Sequence, residues 1–174
     1  FKTKKKIIIF VGRLNKSKGY DIFGKAVINI LNKFPDWKAI AIGDEPREKI
    51  IFNHKRLKTL GFKNNNIVTN WFKKSDISVV CSRIDEPFGR TALEASSAGC
   101  AVIISNKGGL PEASSSAIKI KNLSIRNLQK KIEKLINNEK YKKDLEKKIF
   151  KNFKLTNELA SKKIDKYRIK IIKS

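Results

Sequence analysis

The sequence predicts an α/β domain: a Rossmann-like parallel sheet of about six strands flanked by helices, followed by a Lys-rich helical tail. Three observations lead there. Short apolar runs rich in β-branched residues recur along the first two-thirds of the chain, and several are apolar at consecutive positions, as strands covered on both faces are. Segments with a 3.6-residue apolar period stand between them. Glycine-bearing loops follow the runs. Strand–helix alternation at this spacing calls for right-handed βαβ units and hence a parallel sheet.

The elements follow in order. Residues 7–11 (Ile-Ile-Ile-Phe-Val) form the first strand. Residues 20–34 carry Ile22, Phe23, Ala26, Val27, Ile30, Leu31 and Phe34 on one helical stripe, closed by Pro35-Asp36. Strands are expected at 38–42, 57–60, 76–80 and 101–104. Helices are expected at 66–74 and 91–98, the second ending on Gly99. Past Ile120 the texture changes to Lys-rich helices at 124–137, 139–150 and 156–172. Their stripes, Leu128, Ile132, Leu135 and Ile136, then Tyr141, Leu145 and Ile149, suit core-packing helices with solvated lysine faces. The last helix has two further readings, lying on a membrane surface or docking on a domain outside the chain.

Length and composition bound the rest. A chain of 174 residues builds one domain of ordinary size. Its start, Phe1-Lys2-Thr3, reads as the cut edge of a longer polypeptide. The net charge is +24, from 40 Lys plus Arg against 16 Asp plus Glu. Only seven of the 40 are Arg, and Ile and Asn are abundant too, a combination that codon bias in an AT-rich genome produces. The remainder leaves room for attraction to an anionic membrane or substrate. A nucleic-acid module is not expected, because basic residues are not interleaved with aromatics. No apolar run approaches the roughly 20 residues that span a bilayer. Cys81 and Cys100 each adjoin an apolar run and read as small buried hydrophobes in a reducing compartment. With a single His and no Cys-x-x-Cys, a soft-ligand metal site has no support.

Four loops carry residues suited to chemistry. Gly12-Arg13-Leu14 follows the first strand, with Lys18-Gly19 soon after; the Arg fork suits a diphosphate and the Lys is a mobile point charge. Neither the dinucleotide fingerprint nor the Walker loop is present. Gly43-Asp44-Glu45-Pro46 follows the second strand and reads equally as a plain turn. Glu86-Pro87-Phe88-Gly89-Arg90-Thr91-Ala92-Leu93-Glu94 places two carboxylates around a turn that opens a helix, where backbone N–H groups and the helix dipole attract anions. Two carboxylates beside a phosphate site make sense when the phosphate carries hydroxyl-rich sugars. Dipole compensation is the plainer role for such a glutamate. Gly108-Gly109-Leu110-Pro111-Glu112 permits close backbone approach to a ligand, or Glu112 caps the segment that follows. All four loops fall at the carboxyl edge of the inferred sheet, where open α/β sheets bind ligands.

With Leu60-Gly61-Phe62 and Gly99, these motifs stand in an order and spacing that resembles the C-terminal, donor-binding half of GT-B glycosyltransferases of the retaining GT4 family, glycosyl transferases group 1. The resemblance is strong over residues 7–112 and general beyond. It implies a sugar transferred with retention from a nucleoside-diphosphate sugar to an acceptor glycan or lipid-linked glycan, in surface-polysaccharide, lipopolysaccharide or glycolipid assembly. It implies that Arg13 and Lys18 hold the donor diphosphate and stabilise the leaving group, and that Glu86 contacts sugar hydroxyls. The amides of Phe88, Gly89 and Arg90 would hold sugar and phosphate, with Thr91 at the helix start. Glu94 would bind the ribose and the Phe62 loop the base, with Gly12 and Gly43 on the same donor surface. The glutamates are then ligands for hydroxyls and not a glycosidase pair.

No metal or cofactor is expected, since Arg, Lys and helix dipole supply the charge. The acceptor half is absent from the sequence, residues 156–174 would pack on it, and the isolated chain would bind donor but scarcely turn it over. A cytoplasmic setting at the inner membrane face is implied. A GT-B epimerase or phosphorylase is the alternative, and the Glu86…Glu94 arrangement argues against both. His54 matches no motif and reads as structural. Ala113-Ser114-Ser115-Ser116 departs from the acidic-glycine turn of relatives.

Overall fold

Most of the apolar runs are followed by a helix that covers them, the exception being the run at 38–42, which a loop joins to the next strand, and one sheet results. The computed structural model describes residues 4–153 and 157–172. The strands are β1 (Lys5–Val11), β2 (Lys38–Ile42), β3 (Leu57–Thr59), β4 (Ser75–Val80), β5 (Ala101–Ser105) and β6 (Ile118–Ile120). They lie in the order β3-β2-β1-β4-β5-β6, every neighbouring pair parallel. β1 is central: Ile9 stands opposite Ile40 of β2 on one side and Ser78 of β4 on the other. The chain runs outward from β1 to β3, then returns to β4 and runs outward the other way. The strand order therefore reverses between β1 and β4, and their carboxyl ends flank a crevice.

The helices are α1 (Tyr20–Lys33), α2 (Asn65–Lys74), α3 (Arg90–Ser97), α4 (Leu110–Ala113), α5 (Ile125–Asn137), α6 (Glu139–Lys151) and α7 (Asn157–Ile172). α1 packs beside α5, with Asn29 on Gln129 at 3.2 Å and Lys33 on Glu133 at 3.0 Å, while α3 lies against α2 and α6. Caps fix the starts: Asn64 accepts from Ile67 N–H, Ser124 from Asn127 N–H and Asn138 from Tyr141 N–H. Beneath β1, Phe10 meets the rings of Tyr20 and Phe23 at 5.3 and 5.1 Å. Cys81 and Cys100 are buried free thiols, as their settings imply, and burial pushes both up to about 12. His54 is structural: its Nδ1 accepts from Arg56 N–H at 3.1 Å, so Nε2–H donates to Asn32 at 3.2 Å.

Five of the six strands are named by the sequence. β6 escapes because it is three residues at a sheet edge with Lys119 exposed. α4 escapes because it is one turn holding a Pro. The expected terminal helix is present as α7, with Ile164, Tyr167, Ile169, Ile171 and Ile172 exposed; residues 156, 173 and 174 of that expectation lie outside the described residues. None of the helices described is long and apolar enough to cross a membrane.

At the amino edge of the sheet a charged pair is buried, with a third partner, Glu139, at the surface. Lys142 of α6 reaches Asp76 at 2.6 Å and Glu139 at 3.0 Å, with only 4% of its side chain exposed, and lies over the Trp37 ring. Lys4 donates to the carbonyls of Phe72, Ser75 and Ala98, joining the ends of α2 and α3 to the sheet.

Candidate functional site

The carboxyl ends of β1, β2 and β3 are knit by their own backbone. Gly12 N–H donates to Ile42 C=O at 3.0 Å and Gly43 N–H to Gly61 C=O at 2.9 Å. Gly43 is the residue this closeness requires: at φ +140, a Cβ there would lie 1.9 Å from the Gly12 carbonyl oxygen. On the other side of the crevice, Gly89 opens α3 in a left-handed conformation with no side-chain cap. The first-turn amides of α3 thus keep no side-chain partner at the rim.

Two cavities meet over the tip of β1, sharing Val11 and Gly12. The first, about 260 Å³, lies at the β1–β4 reversal and is lined by Gly12, Lys18, Ser82, Glu86 and the Pro87-Phe88-Gly89-Arg90-Thr91 run. The second, about 440 Å³, lies toward β2 and β3 and is lined by Arg13, Gly43, Asp44, Phe62, Lys63 and Glu94. Every residue singled out from the sequence for donor binding therefore falls in one of these two adjoining spaces. Gly12, Lys18, Glu86, Phe88, Gly89, Arg90 and Thr91 share the first. Arg13, Gly43, Phe62 and Glu94 share the second.

The electrostatics divide the same way. In the first cavity Lys18 Nζ meets Glu86 Oε1 at 2.6 Å, the two side chains 24% and 15% exposed. An ammonium has three N–H donors, and among the described residues one of them is engaged, by Glu86. In the second, burial raises the Glu94 carboxyl above its ordinary value, while Arg90, at 3.8 Å one turn away, pulls it back. Phe62 is 75% exposed and Phe88 49%, so each offers a ring face rather than core packing. Arg13 is exposed on the wall of the second cavity.

In the fourth loop the glycines come close to the chain's own backbone, while Leu110 lines the first cavity. Gly109 N–H donates to Glu86 C=O at 2.7 Å and Gly108 N–H to Asp85 at 3.0 Å. Gly108 lies against the 85–86 backbone and Gly109 against that of Pro87 and Phe88, and together they hold Glu86 in place. Glu112 lines a separate crevice with Ser114, Ser115 and Ser116. Ser82 and Lys63 were not legible as site residues; the only signal for Ser82 is its place two residues after β4. Among the described residues no three His, Cys, Asp or Glu side chains gather as metal ligands would.

This arrangement places the chain in a known class. Residues 1–152 match the glycosyl transferases group 1 family, and the chain belongs to it. Its fold is that of the C-terminal domain of GT-B glycosyltransferases: the C-terminal domain of a group 1 family glycosyl transferase (LpcC) from Francisella tularensis superposes with a TM-score of 0.72, 28% identity and 86% of each chain covered. Spore coat protein SA of Bacillus subtilis is 36% identical over 121 residues, covering 62% of this chain and 32% of its own length. The chain thus spans about a third of that curated relative. Anabaena HepE, solved in complex with UDP-glucose, shares the fold at a TM-score of 0.69 and 20% identity, with 84% of this chain and 43% of HepE covered.

Proposed function

We propose that this chain is the donor-binding half of a retaining glycosyltransferase that moves a sugar from a nucleoside-diphosphate sugar to an acceptor glycan or lipid-linked glycan. The observation that carries the reading is the pair of adjoining cavities over the β1 tip, one holding Lys18 and Glu86 and the other Glu94 and Phe62. A nucleotide sugar has that bipartite shape and chemistry. The base stacks at Phe62, the ribose hydroxyls donate to Glu94, and the diphosphate crosses Gly12. The sugar enters the first cavity, where Glu86 accepts from its hydroxyls.

The chemistry follows from charge. Breaking the bond between the anomeric carbon and the phosphate leaves negative charge on the departing oxygen. Lys18, Arg13 and the amides opening α3 meet that charge with fixed positive partners, which favours the transition state over the ground state. With that charge in place no metal is required. The departing phosphate, on the face where the acceptor attacks, takes the acceptor's proton, which accounts for retention. The acceptor-binding half, against which α7 would pack, and a setting at the cytoplasmic face of the membrane complete the reading.

Calorimetric titration of the chain with UDP- and GDP-sugars tests it. A hydrogen bond to a charged group contributes about 1.5–3 kcal/mol, so replacing Glu86 and Glu94 together by Ala is expected to abolish measurable binding. Donor binding that survives the double substitution refutes the site.

A further inference from the structure

The loop that carries Lys18 is gripped from below by a segment that scarcely touches the donor cavity. Three residues after β4, Cys81, Ser82 and Arg83, bond to the carbonyls of that loop. Arg83 N–H donates to Ser17 C=O at 2.8 Å, Ser82 Oγ to the same oxygen at 3.3 Å, and the Cys81 thiol to Gly19 C=O at 3.3 Å. The Arg83 guanidinium also donates to Lys16 C=O and spans both oxygens of Asp21, each at 2.6 Å, in the first turn of α1. That fork holds Asp21 below the ordinary carboxylate range. The fit is tight: at Gly19, φ +75, a Cβ would stand 2.0 Å from the Cys81 carbonyl oxygen. Lys18 lies between the carbonyls held at 16–17 and 19, and its ammonium spans back to Glu86 on the segment that Arg83 begins. Arg83 itself lines neither donor cavity.

We propose that Arg83 is a positioning residue, which, through Lys16 and Asp21, fixes the loop so that Lys18 is presented to the β-phosphate of the donor. The inference rests on the reading of Lys18 as a diphosphate ligand. A surface ion pair alone contributes little; what the fork adds is geometry, because it ties the loop's carbonyl and the helix start to one rigid plane. A mobile Lys18 would still carry its charge but would lose the preorganised contact.

The test measures the contribution of the β-phosphate in the 174-residue chain, as the ratio of dissociation constants for UMP and UDP, and likewise for GMP and GDP. Wild type, Lys18→Met, Arg83→Met and the double variant form a cycle, with Asp21→Asn and Arg83→Lys as milder probes should Arg83→Met fold poorly. Arg83→Met is expected to cut the ratio about tenfold, as Lys18→Met does, with monophosphate affinity unchanged and the double variant no worse than Lys18→Met. Losses that add, or an equal loss for monophosphate and diphosphate, overturn the positioning role while leaving Lys18 in place. A wild-type chain whose ratio is near one, or one unaffected by Lys18→Met, overturns the donor reading first and this inference with it.

Discussion

Glu146 is the group whose titration the structure couples most directly to stability. It lies on α6 one turn beyond Lys142, its Oε1 is buried, and among the described residues no hydrogen-bond partner faces that atom. Burial raises its carboxyl to about 7 from 4.5, with the charge of Asp76 adding to the shift and Lys142 and Lys4 opposing it. The folded state therefore binds this proton more tightly than the unfolded chain does. Below about pH 4.5 both states are protonated and nothing is lost. As pH rises toward 7 the unfolded chain ionises first, and the folded state pays an increasing cost that is complete above 7. At about 1.4 kcal/mol per unit the full shift is on the order of 3 kcal/mol, and solvent access to a partly exposed side chain reduces that to about 1–2 kcal/mol. Urea denaturation of wild type and Glu146→Gln at about pH 5 and pH 8 reads it directly. The variant is expected to be more stable by about 1–2 kcal/mol at the higher pH and near parity at the lower. A difference between the two proteins that does not change with pH refutes the reasoning.

The parts of the fold that were legible are those where one residue pattern has one physical solution. Four consecutive β-branched or aromatic residues, as at Ile7-Ile8-Ile9-Phe10, have nowhere to go but a strand covered on both faces, and all four are buried. The Glu86…Glu94 stretch was legible as a strand-to-helix turn because its glycine and its helix start both follow the end of β4. What stayed illegible depends on contacts between distant segments. Lys142 reads as one more solvated lysine on an amphipathic helix, since nothing local says that Asp76, 66 residues away, waits beneath it. Arg83 likewise reads as a loop residue until the fold brings Asp21 to it. The Gly108-Gly109 pair shows the limit from the other side: glycine signals that a backbone will come close, and only the fold says that this backbone is the 85–88 segment. In a chain of 33 Lys (40 basic residues less seven Arg), the charge pattern alone could not single out Lys18, Lys4 or Lys142 as lysines whose ammonium groups are held at partly or fully buried sites.

Three further predictions follow from particular contacts. Lys142→Met leaves Asp76 buried and unpaired beside Glu146, a loss of about 3–5 kcal/mol that lowers the melting temperature by on the order of 10 °C; a melting temperature unchanged within error removes the cluster from the fold's support. Gly19→Ala forces a side chain into the left-handed region and against the Cys81 carbonyl oxygen, costing about 2–4 kcal/mol, read by denaturant midpoint; a neutral outcome means that the 16–19 loop moves away from β4 freely. On the proposed reading, Glu94 sets the pH dependence of donor binding. Ribose hydroxyls bond best to the ionised carboxylate, and burial raises this carboxyl above 4.5, so donor affinity is expected to fall with pH earlier than an ordinary glutamate would allow. Arg90 is the cation that restrains the shift, so Arg90→Ala should move the loss to still higher pH, and Glu94→Gln should flatten it at a lower affinity. Calorimetric titrations from about pH 7.5 down to about pH 5 distinguish these cases: a profile that Arg90→Ala leaves in place separates Glu94 from the binding equilibrium and assigns the ribose to another acceptor in the second cavity.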